Sequence, residues 1–140
     1  MMKASAKWIT IVAVILVLVA GCEGGFTASG SSEQSRITGG GGFVERSIRR
    51  ANGSITEEID LNGSGGRLDT TVTLEVEEGV FTIELLDADD NVTLSLEATP
   101  GNPVSGQGYM ETVFGNAQYR VRAEEAKGVR YRLDFTFVSQ

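Results

Sequence analysis

From Phe43 onward, apolar and polar residues alternate with a period of two, the pattern of strands that bury one face. Leu68, Thr70, Val72, Leu74 and Val76 share one face, with Arg67, Asp69, Thr71, Thr73 and Glu75 on the other. Gly79 breaks the run, and Phe81, Ile83 and Leu85 begin a second strand. Asp87-Ala88-Asp89-Asp90-Asn91 has the composition of a turn, after which Val92, Leu94 and Leu96 resume the alternation. Thr99 to Gly108 holds both prolines and reads as a loop before a weak strand over Tyr109 to Phe114. Two further strands follow, one around Tyr119, Val121 and Ala123, the other around Val129, Tyr131, Leu133, Phe135 and Phe137. Glu124 to Gly128 is the turn expected between them. Upstream, Asn52-Gly53 is a type I′ hairpin signal joining Val44–Arg50 to Ser54–Leu61. The first of these two segments also reads as a short helix.

This makes seven or eight short strands without helical crossovers, so the pairing is expected to be antiparallel. One apolar face per strand predicts an all-β fold, an antiparallel β-sandwich of Ig-like or jelly-roll type, with a small barrel as the alternative. The sandwich is expected over residues 43–140. Residues 22–42 are rich in Gly and Ser and predict a flexible tether, because such a composition buries too little apolar area to offset its ordering entropy.

The first residues differ in kind. Lys3 and Lys7 form a positive region, and Ile9 to Ala20 is an apolar run broken only by Thr10. That run is too short for a membrane span, which needs about 20 residues, and fits the core of a signal peptide over residues 1–21. The string Leu18-Val19-Ala20-Gly21-Cys22 resembles the lipobox of bacterial lipoproteins, with Val19 where Leu is more usual. The resemblance implies a diacylglyceryl group on the Cys22 thiol and cleavage just before it. It further implies attachment to a cell membrane or outer membrane on the exported side. Glu23 is not the aspartate that often marks inner-membrane retention in that family, which favours the outer membrane of a two-membrane host. The segments Gly79-Val80-Phe81-Thr82-Ile83, Tyr119-Arg120-Val121 and Tyr131-Arg132-Leu133-Asp134-Phe135 resemble the bacterial pre-peptidase C-terminal type of β-sandwich. Members of that family are non-catalytic accessories, which implies the same for this domain.

Charge narrows the partners. The net charge is -7, and without Lys3 and Lys7 the chain keeps 10 basic against 19 acidic residues, net -9. Nucleic acid is excluded as a partner, since phosphate contacts need clustered cations. Adhesion to an anionic leaflet by charge is excluded in the same way. The chain has one cysteine and no histidine, so it forms no internal disulfide and lacks the commonest general base and metal ligand.

Candidate chemistry is sparse. Asp87, Asp89 and Asp90 are oxygen ligands that calcium could use, but their spacing lacks the EF-hand pattern, and acid-rich turns form without metal. No cofactor is expected. Glu57 and Glu111 lie on otherwise apolar faces; a side-by-side carboxylate pair could hydrolyse glycosides, whereas single ones discourage edge aggregation. Pairing Ala123 with Val129 would bring Arg120, Arg122, Arg130 and Arg132 together on one hairpin face. Acids from a neighbouring strand, such as Glu75 and Glu77, or a carboxylate from outside could neutralise them.

These observations lead to a lipid-anchored, non-enzymatic module that binds a protein or an envelope glycan. The alternative is a structural accessory subunit of a larger envelope complex, joined through an exposed strand edge. Replacing Cys22 by Ser is expected to abolish incorporation of labelled palmitate and to move the protein from the membrane to the soluble fraction. Wild-type protein that takes up no label would overturn the anchor.

Overall fold

The computed structural model describes residues 25–61 and 66–138. The expected signal peptide, Cys22 and Glu23 therefore lie outside the described residues. Seven strands and no α-helix make up the described chain: β1 (Thr27–Ile37), β2 (Gly41–Asp60), β3 (Arg67–Glu75), β4 (Glu78–Leu86), β5 (Val92–Ala98), β6 (Val104–Glu111) and β7 (Asn116–Phe137). Every pairing is antiparallel.

β2 and β7 form a long central ribbon. Its outer half pairs Gly41–Ala51 with 126–136, and its inner half pairs Gly53–Asp60 with 116–123. β1 and β3 flank the first stretch, with β6 beyond β3. β4 flanks the second, with β5 beyond it. The ribbon folds over between the two stretches. Arg46 and Glu57 stand eleven positions apart in one strand, about 36 Å if straight. Yet the Arg46 Nη1 donates to Glu57 Oε2 at 2.6 Å. The result is a β-sandwich with a five-stranded layer (β1–β2–β7–β3–β6) and a four-stranded layer (β2–β7–β4–β5), both sharing β2 and β7.

The corner has local causes. The β2–β7 register shifts between Ala51 and Gly53, as at a β-bulge. Gly53 has φ 99°, and a Cβ there would lie 2.4 Å from the Gly25 carbonyl oxygen, so only glycine fits. On β7, Glu125 takes φ 47°, and its N–H donates to Asn52 Oδ1 at 3.0 Å, tying the two bends together. On the opposite side no ladder joins β5 to β6. Instead the Thr93 hydroxyl donates to the Tyr109 carbonyl and accepts from the Tyr109 N–H.

The core lies between the layers. Leu68, Val72, Phe81, Ile83, Leu85, Met110, Val121, Val129, Tyr131 and Leu133 are buried there. Phe81 and Tyr131 stack with ring centroids 5.8 Å apart.

Three expectations are corrected. Residues 27–37, read as tether, form β1, so the folded unit begins before Phe43. Composition argued for disorder, but the backbone hydrogen bonds of a strand carry no compositional mark. Asn52-Gly53 closes no hairpin; β2 runs through it, and the glycine serves the corner. Glu124–Gly128 likewise lies within continuous β7, so Ala123 does not face Val129.

Leu133 has no exposed surface and lies in the central strand of the five-stranded layer. Leu133→Ala is expected to cost about 2–5 kcal/mol in urea unfolding. The surface change Arg122→Ser should stay within about 0.5 kcal/mol.

Candidate functional site

Because β7 passes through both layers, its outward arginines divide. Arg120 and Arg122 sit on the outer side of the four-stranded layer, and Arg130 and Arg132 on that of the five-stranded layer. The single four-arginine face expected from a hairpin does not form. Arg120 donates to Glu84 at 2.9 Å, and Arg122 lies 3.7 Å from the same carboxylate. Arg130 pairs with Glu75 at 2.9 Å, the neighbouring-strand acid expected. Arg132 Nε donates to both Asp134 oxygens at 3.0 Å.

The aspartate turn is occupied by its own backbone. Asp87 Oδ1 accepts the N–H groups of Asp89 at 2.9 Å and Asn91 at 2.8 Å, and the Asn91 bond leads the causes that lower the Asp87 pKa. Among the described residues no three His, Cys, Asp or Glu side chains gather as metal ligands would. Glu111 accepts the Ala88 N–H at 3.0 Å, while Glu57 binds Arg46, so the two glutamates are engaged separately.

Glu57 belongs to a polar square inside the sandwich. In the strand ladders Arg46 stands opposite Tyr131, and Glu57 opposite Tyr119. Across the layers Arg46 binds Glu57, and the two tyrosine hydroxyls approach to 3.0 Å. Burial raises the pKa of both phenols above the usual value of 10.0. Burial opposes the charge of Arg46, but the neighbouring Tyr131 and Glu57 hold its pKa above the ordinary value. A cleft of about 220 Å³, lined by Glu33, Ser35, Arg46, Glu57, Asp60 and Tyr119 among others, leads to this square.

The outer side of the five-stranded layer carries a larger trough, of about 670 Å³. The ladders arrange its side chains in two rows. One runs Tyr109, Asp69, Thr136; the next runs Gln107, Thr71, Asp134, and continues outside the trough to Phe43. The Arg67 guanidinium lies 4.2 Å from the Tyr109 ring centroid and donates to Asp69 at 3.2 Å. Arg132 lies 4.1 Å from the Phe43 ring centroid and is held by Asp134. Each aspartate thus braces an arginine against an aromatic ring. Among the described residues, Gln107, Thr71 and Thr136 keep their side-chain hydrogen-bonding groups unpaired within the trough. Aromatic surface beside amide, hydroxyl and carboxylate groups suits a ligand rich in hydroxyls. The outward places of Arg67, Asp69, Thr71, Asp134 and Thr136 follow from alternation. Their union with Gln107 and Tyr109 does not, because nothing local says that β6 lies beside β3.

No protein-family model matches the chain, and no curated protein is similar to it at a significant level. Solved structures are similar in architecture. A Bacillus halodurans protein aligns with 77% of this chain and 71% of its own at 15% identity, TM-score 0.41. A carbohydrate-binding module of a Cellvibrio mixtus lichenase, in complex with cellotriose, aligns over 81% and 91% at 16% identity, TM-score 0.34. A xylan-binding domain from Paenibacillus barcinonensis aligns over 84% and 86% at 17% identity, TM-score 0.34.

The tyrosine pair predicts alkaline sensitivity. In the unfolded chain the phenols ionise near pH 10, whereas burial keeps them neutral in the fold. Their contribution is therefore complete below pH 10 and falls as pH rises towards the folded pKa values. The slope should approach about 1.4 kcal/mol per pH unit for each phenol. Urea midpoints between pH 9 and 11 check this, and Tyr119→Phe should flatten the decline.

Proposed function

We propose that this chain is a non-catalytic binding module, held to the envelope by lipid on Cys22, that takes a glycan on the outer face of its five-stranded layer. The trough carries the reading. It joins the Tyr109 ring to unpaired Gln107, Thr71 and Thr136, with carboxylates already balanced by arginines and the Phe43 ring beyond its rim on the same face. Such a surface offers ring faces for stacking and directed hydrogen bonds for hydroxyls, with little net charge to attract an ion.

The chain's path supports the same arrangement. Gly25 lies beside Gly53 at the corner. Phe43, beside the trough on the same face, is eight residues of strand away from Ala51, about 25 Å. A lipid three residues before Gly25 would join the domain at the corner end of this stretch, with the trough near its other end. One observation favours the second reading, an accessory subunit of an envelope complex: among the described residues, no strand pairs with the outer edge of β1.

Co-sedimentation of the full chain in detergent with peptidoglycan sacculi and a panel of insoluble polysaccharides tests the proposal. Retention on one of them is expected, weakened about tenfold by Tyr109→Ala and by Gln107→Ala, a loss of about 1.4 kcal/mol each. Folding, followed by circular dichroism, should be unchanged. Retention on none, or retention indifferent to both substitutions, would overturn the glycan reading.

A further inference from the structure

β1 stands apart from the other strands. Its sequence, Thr-Ala-Ser-Gly-Ser-Ser-Glu-Gln-Ser-Arg-Ile, supplies no residue to the buried core; only its two ends touch it, Ile37 and the preceding Phe26 packing there from partly buried positions. All side chains from Thr27 to Arg36 are exposed. Among the described residues β1 pairs with β2 alone, in one constant register from Thr27 opposite Asn52 to Ile37 opposite Gly42 that skips Gly30. One ion pair fastens it, Glu33 to Arg46 at 3.4 Å, and Arg46 keeps its shorter bond to Glu57 without it. On its other side β2 retains its ladder to β7 along its length. The turn back to β2 passes through Gly39 and Gly40, beside which a Cβ would meet nothing, and is closed by Thr38, whose N–H and hydroxyl both donate to the Gly41 carbonyl.

A strand bound by backbone hydrogen bonds, with scarcely any apolar burial, belongs to the low-stability end of a fold. Its composition is that of a chain disordered when unpaired. We propose that β1 is a releasable strand, docking on β2 and leaving it while the other six strands stay folded. Release would uncover the β2 backbone edge from Gly42 to Asn52 and remove Glu33, Ser35 and Ile37 from the cleft over Arg46 and Glu57. It would also add eleven residues, about 36 Å of contour, to the segment that precedes the domain. The vacated edge is an acceptor for an extended strand, with β1 as its resident occupant.

Hydrogen exchange of the full chain in detergent, read by mass spectrometry, tests the release. β1 amides, and the β2 amides that face them, should exchange at least about a hundredfold faster than those of Val129–Phe135 in β7. A cysteine pair at Ser32→Cys and Ser47→Cys supplies the control. These residues are direct ladder partners, and the Cα spacing of such partners fits a disulfide. Oxidation should slow exchange in β1 to within about tenfold of β7, and reduction should restore it. Protection of β1 equal to that of β7 in the wild type would overturn the proposal. So would fast exchange in β1 that the disulfide leaves unchanged, since it would then not arise from release.

Discussion

A β-strand cannot pack against itself unless it bends, and here two strands do so at the same level. Arg46 reaches Glu57, and Tyr119 reaches Tyr131, only because β2 and β7 turn together where Asn52 holds the Glu125 N–H. The inner faces of the two layers are therefore successive stretches of the same strands. A one-residue slip of either strand would turn these side chains outward and break the square on every side. Arg46 and Glu57 are only partly buried, their side chains 21% and 23% exposed, so the pair stabilises the fold less than a fully buried one would. We read the square accordingly as a device that fixes register and fold angle more than one that adds stability.

The same bend decides what the surface can offer. One strand carries Arg120 and Arg122 to one side of the molecule, and Arg130 and Arg132 to the other. In both places acids on adjoining strands, Glu84 and Glu75, meet them. On the five-stranded side, Arg132 and Arg67 instead lie against aromatic rings, and the face between them stays polar and open. The trough is thus a product of β7 lying at the centre of a layer whose outward residues are Thr, Asp, Gln and Arg.

Much of this was visible in the alternation. The inward residues of β3 and β4, Leu94 and Leu96 of β5, and the turn at Asp87–Asn91 follow from period and turn composition alone, whereas Val92, at the register shift where β5 begins, is exposed. The bends do not. Asn52-Gly53 and Glu124–Gly128 carry the residues of tight turns because turning back and crossing between layers both use positive φ. Which occurs depends on the strands available to receive the chain. β1 left no trace because a strand added at an edge needs backbone groups and tolerates serine and glycine. β6 begins at Val104, inside a segment whose prolines and glycines read as loop, so the neighbours of Tyr109 and Gln107 stayed hidden.

The central ribbon joins distant parts of the chain: Gly41 pairs with Thr136 and Asp60 with Asn116. Pairings of such high sequence separation form late and slowly, because long loops must close before any contact rewards them. As the chain emerges from its N-terminal end, β2 waits for β7, the last strand described. Neither layer has its centre until then. A polypeptide built this way stays threadable through a narrow pore until β7 is made, and it commits to its compact state only once that strand has arrived.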